Sequence, residues 1–461
     1  MDQISARDGL YLKAERPGLP LTTTCVGIYD PSTAPDGRVR FKDILQAFEN
    51  GMPRNPIFRS KLVQVPLDLD HPYWMDDPDF DIEFHVRHIA LPEPGDWRQL
   101  YIQLARLQSR PIDSNHPLWE AYVIEGLHNL THIPKGSFCI MLKVHRAAMN
   151  GMQAMELMTA LHDLSPAKPV RKNRYAAFTP RQLPSPLSLV GQSLSNQVQR
   201  SSDAIRKIPA GIATYRKVSG PIAEYRSSRP DTLRTRFNQS ISPYRTFGCE
   251  SFENEHINLL AESENTTPAA VMLTIIAGAL RAYLKVNSEL PDTNLYCLFD
   301  DYIDTSSMLS LATEIESPVE RLRATAKHLE IASSQIKVRQ QAEQLAVDSV
   351  SPLPPLLTSI GVKTGLAKNA LRTLMPQHNT VVQMINSVNV PIFFAGAALK
   401  DMFVLGPLQE ESGLYHAVTQ VYGRTNIAVT ACRKSMSDPA FYARCLKEAF
   451  NELAEEANII F

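Results

Sequence analysis

One heptapeptide of this chain groups residue types that could do chemistry. His145-Arg-Ala-Ala-Met-Asn-Gly151 follows the apolar run from Phe138 to Val144 and precedes a stripe of Met152, Met155, Met158 and Leu161. The run predicts a buried strand over 138–145, the heptapeptide a connection over 146–151, and the stripe a helix over 152–164. A strand, a glycine-containing turn and a helix is where α/β folds carry reactive side chains. An imidazole here could take a proton from a hydroxyl near neutral pH. Arg146 keeps its proton at any physiological pH, so it can hold an anion but cannot act as a base. Strand neighbours point to opposite faces, which turns His145 away from the side that Arg146 faces. The plainer role of His145 is a hydrogen-bonded structural histidine, and that of the methionine stripe is core packing. His162, further along the helix, is expected at the surface.

Other chemistries find no support. There is no G-x-x-x-x-G-K-[ST], no G-x-G-x-x-G after a strand, no G-x-S-x-G and no H-E-x-x-H. Asp76-Asp77 and Asp300-Asp301 are read as solvated charge, so neither a metal nor a cofactor is expected. The six cysteines are scattered, without C-x-x-C or zinc spacing, and are expected to be reduced thiols.

The elements that would position the heptapeptide fall into two α/β halves. The first runs over 1–165. The segment 166–236 is rich in proline, serine and basic residues, and is read as a linker with a helical middle. There Leu187, Val190, Leu194, Val198, Ile205, Ile208 and Ile212 mark a weakly amphipathic helix broken at Pro209. The second half, 237–461, predicts helices over 268–284, 318–338 and 438–455, with Asp438 as N-cap before Pro439. Strands are expected over 381–390, 392–399, 414–421 and 427–431.

A chain of 461 residues is long enough for two domains, and 44% hydrophobic against 21% charged residues excludes disorder. The formal net charge of -1 argues against a dedicated nucleic-acid binder. That charge is unevenly spread, because Lys168 to Arg236 carries 14 basic residues against three acidic ones. The linker could therefore lean on an anionic lipid surface while both halves remain acidic. No apolar leader is visible at the N-terminus, and the longest apolar runs fall short of a membrane span. A cytoplasmic protein with peripheral membrane contact is the expectation.

At the heptapeptide the chain resembles the wax ester synthase/diacylglycerol acyltransferase family, whose members share the motif H-H-x-x-x-D-G. The resemblance extends to Ile4-Ser-Ala-Arg-Asp8, to the stretch from Asp79 to His88, to Pro117-Leu-Trp119 and to Gly278 through Leu284. It implies a two-domain coenzyme A-dependent acyltransferase-like fold, similar to chloramphenicol acetyltransferase, with mixed sheets flanked by helices. It also implies transfer of a fatty acyl group from acyl-CoA, as substrate, to a long-chain alcohol or diacylglycerol.

In the family the second histidine of the motif is the general base and the aspartate shapes the loop. The matching positions here are Arg146 and Asn150, while His145 and Gly151 match the first histidine and the glycine. The resemblance further implies tunnel positions at Pro117, Trp119, Asn389 and Pro391. The family's N-D pair stands as Ala269-Ala270, and its S-N-V-P-G-P loop as Ser387-Val-Asn-Val-Pro391. Packing blocks are kept and polar blocks altered. Two functions follow: an O-acyltransferase homologue with a degenerate motif, or a non-catalytic acyl-CoA or lipid-binding partner at membranes or lipid inclusions.

Overall fold

The computed structural model describes residues 2–149, 151–167, 184–196, 199, 233–301, 305–334, 378–385 and 388–460. The first half opens with β1 (Asp2–Gln3), α1 (Ala6–Ala14), β2 (Thr22–Asp30) and α2 (Phe41–Gly51). It continues with β3 (Ser60–Val63), β4 (Tyr73–Asp76), α3 (Ile82–His85), β5 (Val86–Ala90) and α4 (Trp97–Gln108). Then come β6 (Trp119–Glu125), β7 (Phe138–His145), α5 (Gly151–Ala160) and a helix over 186–196, here α6. The second half holds β8 (Arg245–Glu253), α7 (Asn254–Ser263), α8 (Pro268–Val286), β9 (Tyr296–Asp301), β10 (Thr305–Ser310) and α9 (Pro318–Ser334). It closes with β11 (Thr380–Met384), β12 (Phe393–Phe394), β13 (Ala397–Leu405), β14 (Leu414–Val421), β15 (Arg424–Cys432) and α10 (Pro439–Glu456).

Two six-stranded mixed sheets carry the molecule, in the orders β12-β13-β2-β7-β6-β5 and β10-β9-β11-β14-β15-β8. A small three-stranded sheet, β1-β4-β3, stands beside them. The chain crosses between the large sheets, because β13 from the second half pairs antiparallel with β2 from Thr24↔Leu405 to Asp30↔Ala398. Strand β7 is buried along its whole length between β2 and β6, which is why its sequence reads as a nearly continuous apolar run.

The long apolar helix α8 satisfies the length and composition of a membrane span, yet 72% of that window is buried within the protein. It packs on α7, α9 and α10 at the centre of the second core. Gly278 is needed there, since a Cβ would come within 2.7 Å of Ala449 Cβ and 2.9 Å of Arg321 Nη1. Thr267 caps α8 by accepting from Ala270 N–H at 3.3 Å, and Asp438 caps α10 by accepting from Phe441 N–H at 3.0 Å.

Several expectations need correction. The stretch 392–399 is a hairpin, not one strand, turning at Ala395 (φ 51°) and Gly396 (φ 85°) before β13. Positive φ at two successive residues makes the reversal that a continuous apolar run conceals. In α6 the docked face is Leu189, Ser193 and Asn196, not the predicted Leu187 and Leu194. Leu189 enters a cluster with Val65, Tyr73 and Met75, while Asn196 donates to Asp70 Oδ2 and Tyr73 Oη at 3.0 and 2.7 Å. The remainder of the helix predicted over 187–217 lies largely outside the described residues.

His162 is buried rather than exposed, with Nε2 2.9 Å from the Tyr29 hydroxyl and Nδ1 2.6 Å from the Met158 carbonyl oxygen. Asp77 is likewise buried and not solvated; its Oδ1 lies 2.8 Å from Lys61 Nζ, because the turn after β4 folds it inward. All six cysteines are free.

Candidate functional site

The heptapeptide begins at the C-terminal end of β7. His145 N–H donates to Leu118 O at 3.0 Å, and its carbonyl accepts from Ala148 and Met149 N–H, so the chain turns sharply at 146–149. The imidazole is buried and both of its nitrogens are used. Ala147 N–H donates to Nδ1 at 3.0 Å, which leaves the ring proton on Nε2, directed at Glu15 Oε2 3.0 Å away. The ring is thereby held in one tautomer and ties the end of α1 to the end of β7. To accept a proton it must first give up the Ala147 bond.

Arg146 follows with its N–H donating to Leu21 O at 2.8 Å. Its side chain is half-buried, and the guanidinium carbon lies 5.5 Å from the centre of the Tyr11 ring. A cation over an aromatic face is stabilised by the ring quadrupole, so α1 supplies the platform on which this charge rests. Asn150 lies outside the described residues, and Gly151 is the first residue of α5.

Below the turn a polar seam crosses the first sheet. Lys143 shares the His145 face of β7, opposite Thr24 on β2 and Glu120 on β6. Its ammonium is fully buried and donates to Leu107 O at 3.2 Å and to Arg110 O, closing carbonyls at and beyond the C-terminal end of α4. Burial pushes its pKa down to about 8, against the opposing pull of Glu120 and Glu15. Glu120 Oε2 lies 3.8 Å from Lys143 Nζ and accepts from the Tyr122 hydroxyl at 2.8 Å, whose own pKa is raised by burial. Among the described residues, Glu15 Oε1 and the hydroxyls of Thr22, Thr23 and Thr24 are buried with no hydrogen-bond partner.

The other predicted positions are dispersed. Pro117 is buried where the chain enters β6. Trp119 is core: its indole N–H donates to Phe58 O at 3.0 Å, and its ring stacks on His85 at 4.6 Å and Phe48 at 5.9 Å. Asn389 and Pro391 are exposed, on the strap between β11 and β12, where Ile392 N–H donates to the Tyr422 hydroxyl at 2.7 Å. Ala269 and Ala270 open α8, with Ala270 fully buried. Among the described residues no group of three His, Cys, Asp or Glu could hold a metal ion.

Sequence reasoning missed Glu15, Lys143 and Glu120. Lys143 carried a signal, a lysine inside an otherwise apolar strand. The pairing of Glu15 with a residue 130 positions away carried none.

Two mixed sheets, the first completed by β12 and β13 from the second half, with the histidine turn at the end of a central strand, define a coenzyme A-dependent acyltransferase-type fold. A profile of the wax ester synthase/diacylglycerol acyltransferase catalytic domain matches residues 4–267, and that of the family's C-terminal domain matches residues 305–454. The chain belongs to the wax ester synthase/diacylglycerol acyltransferase family. A Mycobacterium tuberculosis protein provisionally named a diacylglycerol O-acyltransferase is 26% identical, over 99% of this chain and 90% of its own length. The solved wax ester synthase/diacylglycerol acyltransferase of Marinobacter aquaeolei superposes with a TM-score of 0.71 at 22% identity, covering both chains fully. The starter condensation domain of a rhizomide synthetase, solved with C8-CoA, shares the fold at a TM-score of 0.55 and 12% identity, over 99% and 95% of the two chains.

Proposed function

We propose that the protein engages fatty acyl-CoA and a lipid acceptor, a long-chain alcohol or diacylglycerol, in a site without an imidazole base. It would work in the cytoplasm with peripheral contact at a lipid surface, the basic segment 168–236 assisting there. In ester formation the acceptor oxygen attacks the thioester carbonyl, its proton must leave, and the tetrahedral intermediate collapses with loss of coenzyme A thiolate. The observation that carries the proposal is the engagement of both His145 nitrogens beside an arginine that cannot accept a proton. Ester formation then proceeds at a rate lower by about a hundred- to ten-thousand-fold than with a base in place.

A second reading has its own support. A half-buried guanidinium on the Tyr11 ring is suited to hold a carboxylate, phosphate or thioester oxygen, which favours a non-catalytic acyl-CoA or lipid-binding partner. Release of coenzyme A from palmitoyl-CoA, followed with a thiol reagent in the presence of hexadecanol or diacylglycerol, separates the two. Arg146→His with Asn150→Asp is expected to raise that release by at least about a hundredfold. Parent turnover abolished by His145→Ala and kept in Arg146→Ala would refute the proposal and make His145 the base.

A further inference from the structure

Two residues one helical turn apart on α1 meet two adjacent residues of the histidine turn. Glu15 Oε2 accepts the His145 ring proton at 3.0 Å, and the guanidinium carbon of Arg146 lies 5.5 Å from the centre of the Tyr11 ring. Residues at this spacing share a helix face, so Tyr11 and Glu15 act from one side. Their separation is fixed, because Glu15 is the C-cap of α1 and its N–H donates to Tyr11 O at 3.1 Å. The chain just beyond α1 is gripped by the second half. Buried Arg245 donates from Nη2 to Gly18 O at 3.1 Å. Gly18 sits at φ 82°, so close to Pro243 that a Cβ there would come within 2.6 Å of the proline ring. Glu15 is thus held at a set place when it meets His145.

We propose that Glu15 is a positioning residue for Arg146, acting through the His145 ring and the turn that the ring supports. Ala147 N–H can donate to Nδ1 only while the ring proton stays on Nε2, and Glu15 is the group that keeps it there. Without the carboxylate the other tautomer competes. It sets a ring N–H against the Ala147 N–H, and one of the bonds that fold 146–149 is lost. Arg146 belongs to that turn, its own N–H donating to Leu21 O at 2.8 Å, so a loosened turn carries the guanidinium away from the Tyr11 face. Contact with a ring and a two-pronged hold on an anion both depend on direction as well as distance. This inference rests on the reading of Arg146 as the group that holds the ligand's carboxylate, phosphate or thioester oxygen.

The test uses the full chain with Glu15→Ala and Glu15→Gln. Glutamine keeps an oxygen for the His145 ring proton and alanine does not. Hydrogen exchange followed by mass spectrometry reads the turn without any ligand. The amides of 146–149 should exchange about tenfold faster in Glu15→Ala and at the parent rate in Glu15→Gln, with α8 equally protected in all three proteins. Affinity for palmitoyl-CoA, measured by titration calorimetry, should fall about tenfold in Glu15→Ala, and the same change made in Arg146→Ala should cost nothing further. Unchanged exchange at 146–149 in Glu15→Ala, or faster exchange in α8 as well, would overturn the proposal. So would a glutamine variant that exchanges as fast as the alanine one, or an equal loss of affinity in both backgrounds. If Arg146→Ala binds palmitoyl-CoA as the parent does, the reading of Arg146 fails on its own, and the exchange rates still decide whether Glu15 sets the turn.

Discussion

Replacing Lys143 with methionine tests the polar seam beneath the histidine turn. In the folded protein burial holds the Lys143 pKa at about 8, against an ordinary value of 10.5. The folded chain therefore resists a proton that the unfolded chain accepts. Below pH 8 both states carry it and the folded state bears the full penalty. Between pH 8 and 10.5 only the unfolded chain is protonated, and above 10.5 neither is, so the penalty lifts as pH rises. The size of that lift is the pKa difference converted to free energy, roughly 3 kcal/mol.

In Lys143→Met the charge is gone and no such lift remains. At pH 7 the variant also loses the bonds to Leu107 O and Arg110 O, at about 1 kcal/mol each, so its net stability lies close to that of the parent. The informative quantity is thus the parent-minus-variant difference, measured by urea unfolding from pH 7 to 11. It should swing by roughly 3 kcal/mol in favour of the parent, with its steepest part between pH 8 and 10.5. Tyrosine and cysteine ionisation is common to both proteins and cancels. A flat difference would show that the ammonium is hydrated or mobile, and would refute the buried seam.

Two further outcomes follow from packing and burial. His416 is fully buried between the Thr380 hydroxyl at 2.9 Å and the Tyr442 hydroxyl at 2.8 Å, and burial lowers its pKa from 6.5 to about 3. Its contribution is whole above pH 6.5 and is lost as pH falls toward 3, so His416→Gln should remove roughly 4 to 5 kcal/mol of the acid-side slope in a pH series of urea unfolding curves. Gly406 follows β13 where the chain crosses between the sheets, and a Cβ there would overlap the Tyr415 ring. Gly406→Ala should cost about 3 kcal/mol or more by thermal melting, and pairing it with Tyr415→Ala should recover part of the loss.

How much of this was legible in the residues differs from element to element. Strands 138–145 and 414–421 and helix α10 were read to within a residue or two, because alternation, an apolar run and an Asp-Pro cap are local signals. Helix α6 was recognised but rotated. Its two faces are similarly apolar, and only the patch formed by Val65, Tyr73 and Met75 decides which one docks. The hairpin at 392–399 was hidden because both arms and the turn are apolar. At the site, the residues of the heptapeptide could be named, but their hydrogen-bond roles could not. Whether the ring of His145 keeps a free lone pair depends on Glu15 and on the N–H of Ala147, and no spacing rule joins residues 15 and 145.

The crossover of β13 into the first sheet has a consequence for synthesis. β2 is made within the first thirty residues, yet its second neighbour, β13, ends at Leu405. At ribosomal speeds of about 5 to 20 residues per second, that edge waits roughly twenty to seventy-five seconds for its partner. During that interval a nascent first half offers a long, apolar strand edge to whatever else can pair with it. A chain cut after residue 165 never closes that edge, so the first half on its own is a candidate for chaperone capture or strand-to-strand aggregation.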